Sequence, residues 1–327
     1  MAPTIVSRRA FLIHGLGLVG WALARPPSAS AATLGYRPIL LVNGFADQSS
    51  IWRRPDNLVT SGLVGAGYRL DGESLLPFAY PPKAQAPQIE DSQGDIAVAG
   101  LALAATIISA SSWSATRQVD LVGFSMGGLV ARSAINALRR AEANGPPLVN
   151  TTILIGTPNR GIDILSYLRQ VGVEQNRSAS EALRDYAGID LDSVAVSQMM
   201  PDSAFLRDLN SNQIPDSRVR YVSIAASGLA RTPSGIEFSV GDGVVSPASA
   251  SHLPGVSSLA YVLHDTISTD LSSLLDAVRR STLFHPRLLF NDAVAAIAVA
   301  ELQPGAEAAH RDLEWFQKQG IVTSRQL

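Results

Sequence analysis

Residues 119–128 read VDLVGFSMGG, and this stretch decides the predicted fold. Its first part is largely apolar and β-branched, as in a buried parallel strand, whereas apolar positions after Gly127 recur at helical spacing. A serine in a G-x-S-x-G motif between a strand and a helix lies on a sharp, strained turn that exposes its hydroxyl as a nucleophile. Gly123 and Gly127 avoid side-chain clashes in that turn. The stretch therefore predicts a nucleophile elbow with Ser125 at its tip.

Short apolar runs alternate with helical segments along the rest of the chain. Strand-like runs begin at Pro38, Thr151 and Tyr221, and residues 95–109 have the character of a buried helix. This alternation predicts an α/β fold with a mostly parallel central sheet and helices on both faces. Residues 162–214 are mostly helical in pattern and too long for a simple crossover. We therefore expect a helical cap over the C-terminal edge of the sheet, where active sites of such sheets lie.

The composition excludes several classes of protein and site. The chain has 327 residues, of which 46% are hydrophobic and 17% charged, with a formal net charge of −2 and no cysteine. A near-neutral chain without a basic run gives no electrostatic basis for binding nucleic acid. The absence of cysteine excludes disulfides, cysteine-ligated metals and a thiol nucleophile. One large domain with a substantial core is the simplest organisation.

The N-terminus has the layout of a signal peptide. An arginine pair, Arg8 and Arg9, is followed by Phe-Leu and an apolar run to Ala24, and a small-x-small cleavage site ends at Ala31. The arginine pair resembles the twin-arginine type, which exports folded proteins. We expect residues 1–31 to direct the precursor to the twin-arginine machinery, and the mature protein to be periplasmic or extracellular. A membrane anchor is the alternative, but the run is shorter than the roughly 20 residues of a span.

The acid and the base that would activate Ser125 are expected later in the chain, in the order serine, acid, histidine. Asp242 lies in a Gly-Asp-Gly turn shortly after a predicted strand, which suits the presentation of a carboxylate. His264 follows the apolar run LAYVL, so we expect it to emerge at the end of a strand and to act as the base. Three other histidines of the predicted mature chain remain alternatives: His252, His285 and His310.

The oxyanion of a serine reaction needs two backbone N–H donors fixed in advance. The first is expected from Met126, directly after the nucleophile. The second is expected from Phe45, because the sequence Asn-Gly-Phe at 43–45 follows the first buried strand. The alternative for residues 43–45 is an ordinary turn.

Taken together, these motifs resemble the bacterial exported lipase and esterase branch of the α/β-hydrolases. That branch carries a His-Gly-x turn after the first strand, G-x-S-x-G, a Gly-Thr-Pro-x-x-Gly segment, an Asp-Gly-x-Val turn and a final histidine. The corresponding parts of this chain are residues 43–45, 123–127, 156–161 and 242–245 and His264, with residues 198–206 resembling the cap segment.

The resemblance covers roughly residues 39–270 of a mature domain at 32–327. Asn43 and Asn159 stand where histidine is usual in this branch. The C-terminal part, about residues 281–327, matches no pattern of the family, and we expect it to be a helical extension.

The resemblance implies a serine ester hydrolase with a Ser-His-Asp triad and an acyl-enzyme intermediate. It also implies hydrophobic acyl esters as substrates, transient contact with lipid interfaces, and no cofactor. Some related lipases hold structural calcium, but no ligand set for a metal is evident in the sequence. Acyl transfer, thioester hydrolysis and polyester hydrolysis would use the same triad and remain open. A non-catalytic binding protein on this fold is a further alternative, although such proteins usually lack a triad member.

Overall fold

The structure is a computed structural model of the chain. It describes residues 37–70, 74–83, 86–141, 145–162, 193–212, 215–235, 237–269, 277–278 and 280–327. The predicted signal peptide at 1–31 and the greater part of the predicted cap at 162–214 lie outside these ranges. The described part of the cap region, residues 193–212, is largely helical.

A mostly parallel sheet forms the centre of the fold. In chain order the strands are β1 (Ile39–Val42), β2 (Leu75–Pro77), β3 (Pro82–Lys83), β4 (Ala86–Glu90), β5 (Val119–Phe124), β6 (Val149–Ile155), β7 (Arg220–Arg231), β8 (Glu237–Gly241), β9 (Leu259–Ser268) and β10 (Val322–Gln326). Within the described residues, the main sheet runs β10-β9-β7-β6-β5-β1-β2, with β8 paired to β7. Among the described strands of the main sheet, β8 and β10 are antiparallel to their neighbours and the other pairs are parallel; β3 and β4 form a separate antiparallel hairpin.

Helices cover both faces of this sheet. They are α1 (Leu58–Gly65), α2 (Ile96–Trp113), α3 (Met126–Ala141), α4 (Val194–Met199), α5 (Ala204–Arg207), α6 (Pro247–Ser251), α7 (Asp292–Leu302) and α8 (Glu307–Lys318). Helices α2 and α3 contribute to the hydrophobic core on one face, and α1, α7 and α8 contribute to the core on the other. The predicted α/β architecture is confirmed. Parallel strands that are buried on both faces have continuous apolar sequences, which is why the sequence pattern identified them.

Helix α2 is the predicted apolar helix, begun by Asp95, whose side chain accepts from two amides of the first turn. In the described part of the chain it alone is long and apolar enough, by length and composition, to cross a membrane. Gly100 brings it close to α3, because a Cβ there would lie 2.7 Å from the Cβ of Ser133. Val98 and Leu101 remain exposed on the opposite side.

The C-terminal part is more than a helical extension. Helices α7 and α8 follow the expectation, but the last strand, β10, pairs antiparallel with β9 and forms one edge of the main sheet. The end of β10 is joined to the start of β9 through Ser258 and Leu327, whose backbones exchange two hydrogen bonds of 3.1 and 2.8 Å. The C-terminal part is therefore integrated into the central α/β domain.

Candidate active site

Ser125 lies in the turn between β5 and α3, with a left-handed φ of 54°. Such a conformation is strained for a residue with a side chain and is typical of a functional position. A Cβ on Gly123 would lie 2.6 Å from Gly128 Cα, and one on Gly127 would collide with the carbonyl oxygen of Val42. The Ser125 amide is held by the carbonyl of Ile155 on β6, at 2.8 Å. The motif therefore folds as the predicted elbow.

Ser125, His285 and Asp242 form a continuous hydrogen-bonded chain. Ser125 Oγ lies 2.7 Å from His285 Nε2, and His285 Nδ1 lies 2.6 Å from Asp242 Oδ2. Since the carboxylate can only accept, Nδ1 carries the proton and Nε2 is left to accept from the serine hydroxyl. His285 and Asp242 are almost fully buried, whereas Ser125 is partly accessible. This is the geometry that a serine nucleophile and its general base require.

Asp242 is fixed by the turn that sequence analysis singled out. Gly241 and Gly243 on either side have left-handed φ values of 54° and 84°. Asp242 Oδ1 accepts from the amides of Val244 and Val245, at 2.9 and 2.6 Å, which leaves Oδ2 for the histidine. The backbone carbonyl of Asp242 also accepts from the His285 amide at 2.8 Å. Both the side chain and the backbone of this residue therefore position the imidazole.

The assignment of the base to His264 is wrong, because the structure places that side chain elsewhere. The apolar run before it suggested that the strand ends there, but β9 continues to Ser268. His264 thus lies inside the strand, opposite Ser227 of β7, with an exposed side chain. Its Nε2 lies 2.8 Å from Thr323 Oγ1 on β10. The histidine beside Ser125 is His285, one of the alternatives.

His285 opens a short 3-10 helix, His285–Phe290, with Pro286 at its first turn. Its ring stacks on Phe124 at a centroid distance of 5.2 Å. Gly156 has a left-handed φ of 55°, and a Cβ there would lie 3.1 Å from the His285 ring. A signal against His264 was available in the sequence: the β-branched pair Thr266-Ile267 continues the strand pattern beyond it.

The two other described histidines that were alternatives for the base, His252 and His310, have other environments. His252 is exposed at the end of α6, and His310 Nε2 on α8 lies 3.1 Å from the carbonyl of Pro304. Neither has a hydrogen bond to Ser125 or Asp242.

The two predicted oxyanion donors flank the nucleophile. Met126 follows Ser125 as the first residue of α3, and the 43–45 loop passes so close that a Cβ on Gly44 would lie 3.0 Å from Ser125 Cβ. Within the described residues, neither the Phe45 nor the Met126 amide donates to a protein acceptor. Two free N–H groups beside a nucleophile are what an oxyanion hole requires.

Asp47 adds a second carboxyl near the imidazole. It lies two residues beyond Phe45, after Ala46, which has a left-handed φ of 59°. Burial raises the pKa of Asp47 to about 6, while the nearby His285 and Arg54 oppose that rise. The charge of this carboxyl therefore changes in the weakly acidic range, close to the proposed base.

Asn159, where the lipases and esterases that the sequence resembles usually have histidine, ties three parts of the site region together. Its Nδ2 donates to the carbonyl of Ala250 on α6 at 3.0 Å, and its Oδ1 accepts from Arg132 on α3 at 3.2 Å. Arg132 also donates to Asn210 Oδ1 at 2.8 Å. Burial lowers the pKa of Arg132 to about 10. Asn159 thus has a structural role, because it holds the helix α6 that follows the Asp242 turn.

Among the described residues, no group of three or more histidine, aspartate or glutamate side chains is arranged to hold a metal ion.

Comparisons with solved structures give several similar chains. A mature lipase from Bacillus licheniformis, BlEst2, is 20% identical, with 78% of this chain and 93% of that chain covered and a TM-score of 0.46. EstA from Clostridium botulinum is 14% identical, with 79% and 87% covered and a TM-score of 0.39. The metagenomic carboxyl esterase MGS0156 is 15% identical, with 82% and 76% covered and a TM-score of 0.42.

No curated protein matches the chain. A family model does match, over residues 83–156, which include β5, Ser125 and β6. The description of that family is "Putative serine esterase (DUF676)".

Proposed function

We propose that this protein is a serine carboxylic ester hydrolase, a lipase or carboxylesterase, with Ser125 as nucleophile, His285 as base and Asp242 as the acid that orients it. The observation that carries the proposal is the hydrogen-bonded chain from Ser125 Oγ through the His285 ring to Asp242, with distances of 2.7 and 2.6 Å. The match of residues 83–156 to a family described as serine esterases supports the same reaction class.

In the proposed mechanism, Ser125 Oγ attacks the ester carbonyl while its proton passes to His285 Nε2. The negative charge that develops on the carbonyl oxygen is stabilised by the amides of Phe45 and Met126. Asp242 holds the imidazole tautomer and stabilises the imidazolium. The ester C–O bond then breaks, and the leaving alcohol takes the proton from His285, so that an acyl-enzyme remains on Ser125.

Deacylation repeats these steps with water. His285 removes a proton from a water molecule that attacks the acyl carbonyl. The bond from the acyl carbon to Ser125 Oγ then breaks as His285 returns the proton to Oγ, which releases the carboxylic acid and free Ser125. This proposal needs no metal or cofactor. The choice of acceptor separates hydrolysis from the alternatives, because an alcohol or thiol in place of water would give acyl transfer.

The experiment that tests the proposal is hydrolysis of p-nitrophenyl acetate, butyrate, octanoate and palmitate by the protein, by Ser125→Ala and by Ser112→Ala. Ser112 is an exposed serine of α2 and serves as the matched control. We expect the wild-type protein and Ser112→Ala to turn over these esters and Ser125→Ala to be inactive. Peptide mapping should find a fluorophosphonate probe attached to Ser125. The chain-length profile assigns esterase or lipase, whereas an unlabelled Ser125 and no turnover would refute the proposal and favour a binding role.

For localisation, we propose export of the precursor by the twin-arginine machinery, on the basis of Arg8 and Arg9 and the cleavage site at Ala31. A fusion of residues 1–31 to a reporter that is active only after folded export tests this. Arg8→Lys with Arg9→Lys should abolish export, and unchanged export of that variant would contradict the twin-arginine route.

A further inference from the structure

We propose that Glu90 is a positioning residue that holds the 43–49 loop, and with it the Phe45 amide, in place for the oxyanion. This inference rests on the proposed function of the same site. Glu90 ends β4 of the small hairpin and contacts the loop from outside the triad. No step of the mechanism above uses it.

The far end of the loop is attached directly to Glu90. The Ser49 amide donates to both carboxylate oxygens of Glu90, at 3.2 and 3.0 Å, and Ser49 Oγ donates to Oε1 at 2.5 Å. Hydrogen bonds to a carboxylate are stronger than those between neutral groups. Three of them on one carboxylate fix the loop four residues beyond Phe45.

The near end of the loop is attached to Glu90 through Tyr80. Glu90 Oε2 accepts from the Tyr80 amide at 3.2 Å, and the Tyr80 hydroxyl donates to the carbonyl of Asn43 at 2.7 Å. The Tyr80 side chain is buried, and burial with the nearby charges of Glu90 and Asp47 raises its pKa, so the hydroxyl stays a donor. The bond to the Asn43 carbonyl orients the peptide that leads into Gly44 and Phe45.

The segment between these two attachments needs such support. Ala46 has a left-handed φ of 59°, which an L-residue adopts only under constraint from its surroundings. Gly44 lies against Ser125, so a small shift of the loop changes the distance from the Phe45 amide to the reacting carbonyl. A displacement of about 1 Å in a catalytic geometry can reduce the rate by roughly 100-fold.

The test compares kcat and KM of Glu90→Ala, Glu90→Gln, Tyr80→Phe and Ser49→Ala, with kcat expressed per active site titrated at Ser125. Glu314→Gln, an exposed glutamate on α8, is the matched control. We expect Glu90→Ala to lose roughly 10- to 100-fold in kcat, with KM changed less than about threefold. Glu90→Gln keeps one acceptor oxygen and should lie between it and wild type.

Tyr80→Phe removes a single hydroxyl and keeps the test valid where Glu90→Ala fails to fold. It should lower kcat by roughly 3- to 10-fold, and Ser49→Ala by less, because the Ser49 amide still donates. The affinity of phenylboronic acid, whose tetrahedral adduct on Ser125 places an oxygen in the hole, should fall in parallel with kcat. A merely structural role would lower the melting temperature without changing kcat or the boronate affinity per titrated site.

Two results overturn the inference: kcat of Glu90→Ala and Tyr80→Phe within twofold of wild type, or lower kcat with unchanged boronate affinity. Failure of the proposed function is recognised separately, because wild type would then show neither ester turnover nor labelling of Ser125.

Discussion

The substitution Asp242→Asn tests the proposed triad, because it replaces one carboxylate oxygen of Asp242 by an NH₂ group. In the structure, Oδ1 accepts from two backbone amides, at 2.9 and 2.6 Å, so the amide oxygen of the asparagine must take that place. The NH₂ group then faces His285 Nδ1, where the carboxylate oxygen lay at 2.6 Å. A donor in this position forces Nδ1 to accept and places the ring proton on Nε2. The imidazole then meets Ser125 Oγ with a donor and cannot take its proton.

The size of the effect follows from the loss of the correct tautomer without loss of packing. Exchanging the triad acid for its amide typically lowers kcat by about 10⁴-fold, which is a barrier increase of about 5.5 kcal/mol. Because the two turn hydrogen bonds to the side-chain oxygen are kept, we expect the free energy of unfolding to change by less than about 1 kcal/mol. The variant should therefore be folded and nearly inactive.

The assay is steady-state turnover of p-nitrophenyl butyrate at pH 8, together with urea denaturation of the same samples. Asp312→Asn, on the exposed side of α8, provides the matched control and should equal wild type in both. A kcat for Asp242→Asn within tenfold of wild type would refute the reasoning from the tautomer. A large drop in stability would mean that disruption of the turn, and not the changed tautomer of His285, causes the loss of activity.

Five other substitutions give three separate checks. His285→Gln should lower kcat by about 10⁶-fold, whereas His264→Gln should leave it within twofold; the reverse pattern in steady-state assays would restore His264 as base. Asp47→Asn should stabilise the protein by about 1–2 kcal/mol at pH 8 and have almost no effect near pH 3. Burial raises the pKa of Asp47 from 3.8 to about 6, so the folded state resists ionisation only above the unfolded pKa. Urea midpoints that differ equally at both pH values would contradict this. Gly127→Ala should abolish soluble active protein, since its Cβ would meet backbone carbonyls. Gly65→Ala, whose Cβ would have no atom within 4 Å, should raise stability by about 0.5–1 kcal/mol in thermal melts. Equal behaviour of the two alanine variants would argue against the tight elbow.

The parts of the site that follow from sequence are those whose geometry is local. The strand, turn and helix around Ser125 are specified within ten residues, because apolar strand residues, two glycines and a helical pattern all occur in one stretch. The same is true of Asp242, whose neighbouring glycines have the left-handed φ values that its turn requires. The alternation of strands and helices was likewise sufficient to predict the sheet with helices on both faces.

His285 and β10 could not be predicted in this way, because long-range packing decides both. A histidine ahead of a proline has no distinctive pattern, and only the fold places His285 against Phe124 and Asp242. Strand β10 is mostly polar and exposed, with only Val322 buried, so it lacks the apolar alternation that identifies a strand. It is a strand because β9 supplies its hydrogen-bonding partner.

The separation of 160 residues between Ser125 and His285 has a consequence for the order in which the site is assembled during synthesis. At about 5–20 residues per second, the nucleophile leaves the ribosome roughly 10–30 s before the base. Ser125 and Asp242 are thus synthesised while the nascent chain still lacks His285, the proposed general base. On the proposed mechanism, Ser125 gains its base only after His285 has been translated and has packed against Phe124 and Asp242.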